Sequence, residues 1–217
     1  MSMHNEEMIK CESCGAESPF MFHQSVNVSL DPQDKERVLN GSIWAFKCPK
    51  CGNETTILYP MLYHDMEKKL MIQLCSVDEV KTWSPFAGLP PGPVGDAMKK
   101  NMKGYNLRAV CDTNALREKI RIFDAGLDDL VIELMKVMIL KGKAGNQVER
   151  LLYNGHDDKN LHLAVFVKES EEILRTSLPM EVYNHLKEGV PSKEELFSRG
   201  TFFYDVSNFA TLFGKDK

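Results

Sequence analysis

The sequence predicts a mixed α+β chain, and three observations carry that prediction. Strand-like runs flank two short cysteine hooks in the N-terminal part. A stretch rich in proline and glycine, residues 84–95, interrupts the chain. Beyond it, apolar residues recur at helical spacing from Leu116 to Met138, and alternating, strand-forming runs follow. With 217 residues, 43% hydrophobic and 27% charged, the chain can build a sizeable core as one large or two small domains. The expected division is a sheet module over 1–80, a connecting segment over 81–104 and an α+β domain over 105–217.

The hooks are Cys11-Glu12-Ser13-Cys14-Gly15 and Cys48-Pro49-Lys50-Cys51-Gly52, each reading C-x-x-C-G. A two-residue gap lets one turn present both sulfurs to one metal. The trailing glycine lets the backbone turn tightly, so that its N–H groups can point at those sulfurs. Four thiolates in two such hooks, set between strand-like runs, predict an antiparallel zinc-ribbon-like module with Cys11, Cys14, Cys48 and Cys51 as ligands. A closed four-thiolate site of this kind holds one structural Zn²⁺ and performs no chemistry; iron in the same geometry stays open. The interval from Cys14 to Cys48 exceeds the ~15–20 residues of a minimal ribbon.

In order along the chain, residues 20–30 read as a strand. Asp31-Pro32 opens a short helix, with the aspartate as cap and proline at the first helical position, and Gly41 closes it. Strands are expected over 56–59, 61–63 and 70–75, the last two joined by the turn Asp65-Met66-Glu67-Lys68-Lys69, so that the ribbon grows into a small antiparallel sheet ending near Cys75. A short strand over 105–110 precedes two amphipathic helices. The first spans about 114–124, capped by Asp112 or Thr113, with Leu116, Ile120 and Phe123 on one face. The second follows Gly126 and carries Leu127, Leu130, Val131, Leu134 and Met138. Residues 148–153 and 161–167 form a hairpin around Asn154-Gly155-His156-Asp157-Asp158-Lys159-Asn160, and 172–178 add a third strand. One helix follows Pro179, another starts at Ser192 with Glu195 as its capping-box partner, and a mixed tail covers 202–213.

The hooks and their surroundings resemble the CpXC-domain family of bacterial and archaeal zinc-ribbon-like proteins. The likeness rests on Cys11–Cys14 and on Cys48-Pro49-Lys50-Cys51, with its proline. It extends to Asp31-Pro32, Leu39-Asn40-Gly41, Leu62-Tyr63-His64-Asp65 and the helical run from Glu118 to Asp129, about the first two thirds of the chain. The resemblance implies metal binding by the four cysteines and carries no catalytic residue across.

Charge and composition narrow the rest. A net charge of −4 argues against wholesale nucleic-acid binding, which shows as a basic domain. No apolar signal core follows Met1, and the most apolar stretch, 127–140, is broken by Asp128, Asp129, Glu133 and Lys136, so no membrane partner is expected. Six cysteines without an export signal predict a reducing compartment, the cytoplasm, with Cys75 and Cys111 as buried thiols. Asp124, Asp128, Asp129 and Glu133 cluster at the helix corner, either as ligands of a second metal in a hydrolase or as acids that complement a helix dipole. His64-Asp65 and His156-Asp157-Asp158 are read as turns. Lys10, Lys47 and Lys50, with Trp44 and Phe46, and a second group of Lys99, Lys100, Lys103 and Arg108, are the candidates for a nucleic-acid contact. The expectation is a non-catalytic, zinc-binding interaction protein whose partner is a protein; a metal-dependent hydrolase and a nucleic-acid-associated ribbon are the alternatives.

Overall fold

The computed structural model describes residues 2–142, 145–200 and 202–205. The chain forms two compact units. One holds the chain up to Thr113 together with Arg199–Phe202; the other holds Asn114–Ser198 and resumes at Phe203.

In the first unit, β1 (Met3–Lys10) and β2 (Glu17–Asn27) form an antiparallel hairpin with the first hook at its tip. β1 has no counterpart in the sequence reading. Most of its residues are exposed, so no apolar alternation betrays it. The helix α1 (Pro32–Asn40) follows, with Pro32 in its first turn and Gly41 closing it at φ +87°, where its N–H donates to Arg37 O. Asp31 stands at the cap position but makes no side-chain cap; its carboxylate instead accepts from Ser2 Oγ. Strands β3 (Ala45–Lys47) and β4 (Glu54–Thr56) make a separate two-stranded ribbon carrying the second hook, so the strand expected at 56–59 ends at Thr56.

Next, β5 (Met61–Asp65) and β6 (Leu70–Leu74) pair antiparallel. The intervening turn is held by Lys68 N–H donating to Asp65 Oδ1 at 3.0 Å. The segment that follows contains α2 (Pro93–Met102) and leads to β7 (Asn106–Val110). The main sheet runs β1-β2-β5-β6-β7 and is mixed rather than antiparallel, because β2/β5 and β6/β7 pair in parallel. It extends past Cys75 to β7, which is buried along its whole length. Val26, Met61, Tyr63, Leu70, Ile72 and Ala109 are its fully buried residues, and Ile43 and Trp44, in the turn before β3, are buried as deeply.

In the second unit, α3 (Thr113–Asp124) and α4 (Asp129–Leu140) are the expected helix pair. The buried face of α4 differs from the expected one. Leu130 and Val131 are buried, but Met138 is half exposed, and Ile132 and Met135 take the core instead. Those two, with Ile122 and Val131, pack on Tyr153, Leu161, Leu163 and Tyr183. The last four come from β8 (Val148–His156), β9 (Asn160–Val167) and α5 (Met180–Lys187); β10 (Ile173–Pro179) completes an antiparallel sheet in the order β10-β9-β8. Before α6 (Lys193–Arg199) the capping box forms as expected: Ser192 N–H donates to Glu195 Oε2 at 2.8 Å, and Glu195 N–H to Ser192 Oγ at 3.3 Å. The tail expected over 202–213 lies outside the described residues from 206 onward.

Candidate metal centre

The two hooks fold into the same turn. In each, the fifth residue's N–H returns to the first cysteine's carbonyl, Gly15 to Cys11 at 2.8 Å and Gly52 to Cys48 at 2.9 Å. Each first cysteine's N–H is satisfied across the turn, Cys11 by Ala16 O and Cys48 by Asn53 O, both at 2.8 Å. Gly15 and Gly52 sit at φ +70° and +74°, the left-handed region that an L side chain resists. The repeated C-x-x-C-G pattern is therefore a backbone requirement as well as a ligand spacing.

Each hairpin tip brings its sulfurs to the other. Cys11 Sγ lies 3.8 Å from Cys51 Sγ, and Cys14 Sγ lies 3.7 Å from Cys48 Sγ. All four ligand atoms fall within 4.8 Å of one another. A tetrahedron with metal–sulfur bonds of about 2.3 Å has sulfur–sulfur edges of about 3.8 Å, so the cluster fits a four-thiolate ion. Cys11 and Cys48 are 2% and 1% exposed, shielded by Phe20 and Phe46 with Phe22, Ile57 and Tyr59 around them, whereas Cys51 lies at the surface.

The protons of the cluster reflect the crowding. The N–H of Cys51, with help from that of Lys50, holds the Cys48 thiol down to about 6 against the penalty of burial. Cys51 also receives an N–H, from Asn53, but its hydrogen bond with Cys14, burial and the other two sulfurs push it up to about 12. Thiolates packed this closely repel one another, and a cation shared among them relieves the repulsion. Among the described residues, this is the only group of three or more Cys, His, Asp or Glu side chains gathered as metal ligands.

The acidic corner has a different use. Asp128 caps α4, its Oδ1 accepting from Leu130 N–H at 2.9 Å. Asp129, 0% exposed, pairs with Lys119 at 2.8 Å. Glu133 lies 3.2 Å from both Lys119 and Lys136, and Lys136 reaches Glu118 at 2.8 Å. Asp124 lies exposed at the end of α3. The dipole account holds for Asp128, while Asp129 and Glu133 belong to a buried ion network closed by lysines. Sequence reasoning missed Glu118, Lys119 and Lys136. The signal was present, because Asp129, Glu133 and Lys136 repeat at i, i+4 and i+7 along a helix otherwise made of apolar residues.

The remaining candidates fall into turns or cores. Asp157 accepts from Lys159 and Asn160 N–H groups at 2.8 and 2.9 Å, as a hairpin turn requires. His64 meets Tyr105 Oη at 3.4 Å. Trp44 and Phe46 are buried and present no stacking platform for bases. Arg108 is buried too, donating to Leu107 O, and Lys99 lies over the Phe86 ring. Cys75 is buried as expected, and burial, then Glu79 and Cys111, push its thiol up to about 11; Cys111 is half buried. Among the described residues no helix is long and apolar enough to cross a membrane.

A protein-family model described as CpXC protein matches residues 9–136, from the end of β1 through both hooks and α3 into α4. Searches of the curated proteins and of the solved structures each found no match.

Proposed function

We propose that this chain, which belongs to the CpXC family, holds one structural zinc ion on Cys11, Cys14, Cys48 and Cys51 and acts as a non-catalytic interaction module for another protein. The observation that carries the metal reading is the convergence of four sulfurs from two hairpin tips at spacings that suit a tetrahedral ion. Four protein ligands close such a site and leave no position for a substrate, which is the mark of a structural centre. Of the carboxylates that a hydrolase would recruit, Asp129 and Glu133 are paired with lysines and Asp128 caps its helix. A thiolate-bound metal suits a reducing compartment, which we take to be the cytoplasm.

Elemental analysis of the purified protein tests the metal. One zinc per chain is expected, and Cys48→Ser/Cys51→Ser should lose both the ion and the fold of the ribbon, because site and fold form together. Iron in place of zinc, or full metal retention in the double variant, would sink the assignment. The interaction reading is tested by affinity capture with metal-loaded and chelated protein; partners retained equally by both would separate the interaction from the ribbon.

A further inference from the structure

Beside the metal centre, two strand edges face each other across an open groove. In an antiparallel pair, successive residues alternate between facing the partner strand and facing away. His23 N–H is taken by Tyr59 Oη at 3.3 Å rather than by β1, and the β1/β2 register is unbroken from His23 to Glu17. Pro19, Met21 and His23 therefore turn their backbone groups away from β1. On the other side, Ile57 N–H donates to Trp44 O and Cys48 N–H to Asn53 O, so Trp44, Phe46 and Cys48 face β4. Ala45 and Lys47 face away. In the 3-10 turn that precedes β3, the Ile43 carbonyl accepts from the same hydroxyl, Tyr59 Oη, at 3.2 Å.

Tyr59 thus bridges the two edges at their inner end. Beyond it, among the described residues, neither edge has a backbone partner. β2 pairs with β5 only from Ser25 to Asn27, and β3 pairs only with β4. What stays open is Met21 N–H and C=O and the Pro19 carbonyl on one side, with Lys47 N–H and C=O and the Ala45 carbonyl on the other; Ala45 N–H is used by Ser42 O. Proline is tolerated in a strand where no ladder bond is asked of it, and Pro19 stands at such a position. The space between the edges is a groove of about 370 Å³, lined by both edges together with Phe20, Phe46, Arg37 and Lys47. No carboxylate lines it. Lys47 meets Glu54 at 2.7 Å, but both side chains are 71% and 70% exposed, so the bridge is loosely held.

We propose that this groove is a peptide-binding site that takes an extended, acidic segment of a partner protein, which pairs as a strand between β2 and β3. Unpaired strand edges are templates for an added strand, and main-chain bonds supply affinity while side-chain contacts supply selectivity. Arg37 is already held by Asp34 at 2.8 Å, so Lys47, whose exposed bridge to Glu54 is readily exchanged, is the cation that selects an acidic segment; a strand added here contacts both hairpins that carry the hooks, which links peptide binding to the metal-built fold. The proposal rests on the interaction reading above and names its surface.

The test uses the full-length, zinc-loaded protein and a capped Glu-Val-Glu-Val-Glu peptide, with Lys-Val-Lys-Val-Lys and a backbone N-methylated acidic version as comparisons. Calorimetric titration should show saturable binding of the acidic peptide only, and hydrogen exchange should slow at the Met21 and Lys47 amides. Met21→Pro removes one groove donor without touching the β1 ladder, and should weaken binding about five- to tenfold at unchanged zinc content. Lys47→Gln should weaken it similarly and flatten its salt dependence. Equal binding of acidic and basic peptides, no binding, or affinity indifferent to both variants would overturn the proposal, as would concentration-dependent dimerisation that protects the same amides. Affinity capture separates the two readings. Partners held equally by wild type and Met21→Pro would remove the groove and leave the interaction module standing. Partners held by neither the metal-loaded wild type nor the variant would remove the module itself.

Discussion

Lys119 places its ammonium 2.8 Å from Asp129 and 3.2 Å from Glu133, and donates to Tyr204 O at 3.0 Å, with all four residues buried. Taking two opposite charges out of water is costly, and the pair is stable only while both partners remain. Lys119→Met should therefore destabilise the chain by ~3–5 kcal/mol, because the carboxylate of Asp129 loses its counter-charge in the interior. Urea unfolding measures this, and Lys119→Met/Asp129→Leu should recover most of the loss. A loss below ~1 kcal/mol in the single variant would mean that Asp129 is carried as a neutral acid. Charges of this kind are hard to read from sequence, since lysine and glutamate on a helix are ordinarily solvated. The cysteines are the opposite case: each hook repeats one pattern, and the pattern alone told which four sulfurs would meet.

At the scale of the element, the hook is a turn whose last residue must adopt positive φ. A Cβ built on Gly52 meets nothing within 4 Å, so a substitution there is opposed by backbone conformation alone. Gly52→Ala should cost ~1–2 kcal/mol and lower metal affinity in proportion, while Gly52→Asn should cost less because asparagine tolerates the left-handed region. Competition with a chromophoric chelator reads the affinity. Alanine and asparagine behaving alike would move the explanation from conformation to side-chain size. Elements with a strong local signature were legible in the same way: Pro32 and Gly41 bounded α1, and Ser192 with Glu195 bounded α6. β1 was not, because an edge strand exposed along most of its length is defined by its pairing with β2, and pairing is not local. The parallel pairs β2/β5 and β6/β7 escaped for the same reason, and a hairpin-by-hairpin reading turned a mixed sheet into an antiparallel one.

For the molecule as a whole, pH acts most directly on the ion network of the second unit. Burial pulls Lys136 down, but Glu133 and Glu118 outweigh it and hold the ammonium above its ordinary 10.5. A cation raised in the folded state contributes stability in full below 10.5 and loses it as pH climbs through the folded value. Glu118 is raised as well, burial prevailing over the pull of Lys136. Between its ordinary 4.5 and that raised value the folded chain holds a proton which the unfolded chain has released, so stability again falls as pH rises. The two groups therefore act in one direction. They favour the folded state toward acid and withdraw that support toward alkali, whereas a metal held on the four thiolates of the first unit is expected to be released in acid, when protons compete for the sulfurs. Thermal unfolding of wild type and Lys136→Met followed from pH 7 to above 10.5 isolates the lysine: the variant should be less stable at neutral pH and the gap should narrow with alkali. A gap that stays constant above 10.5 would show that Lys136 titrates no differently folded than unfolded. Chelation at neutral pH should leave the size of that gap unchanged, since the network is built entirely within the second unit.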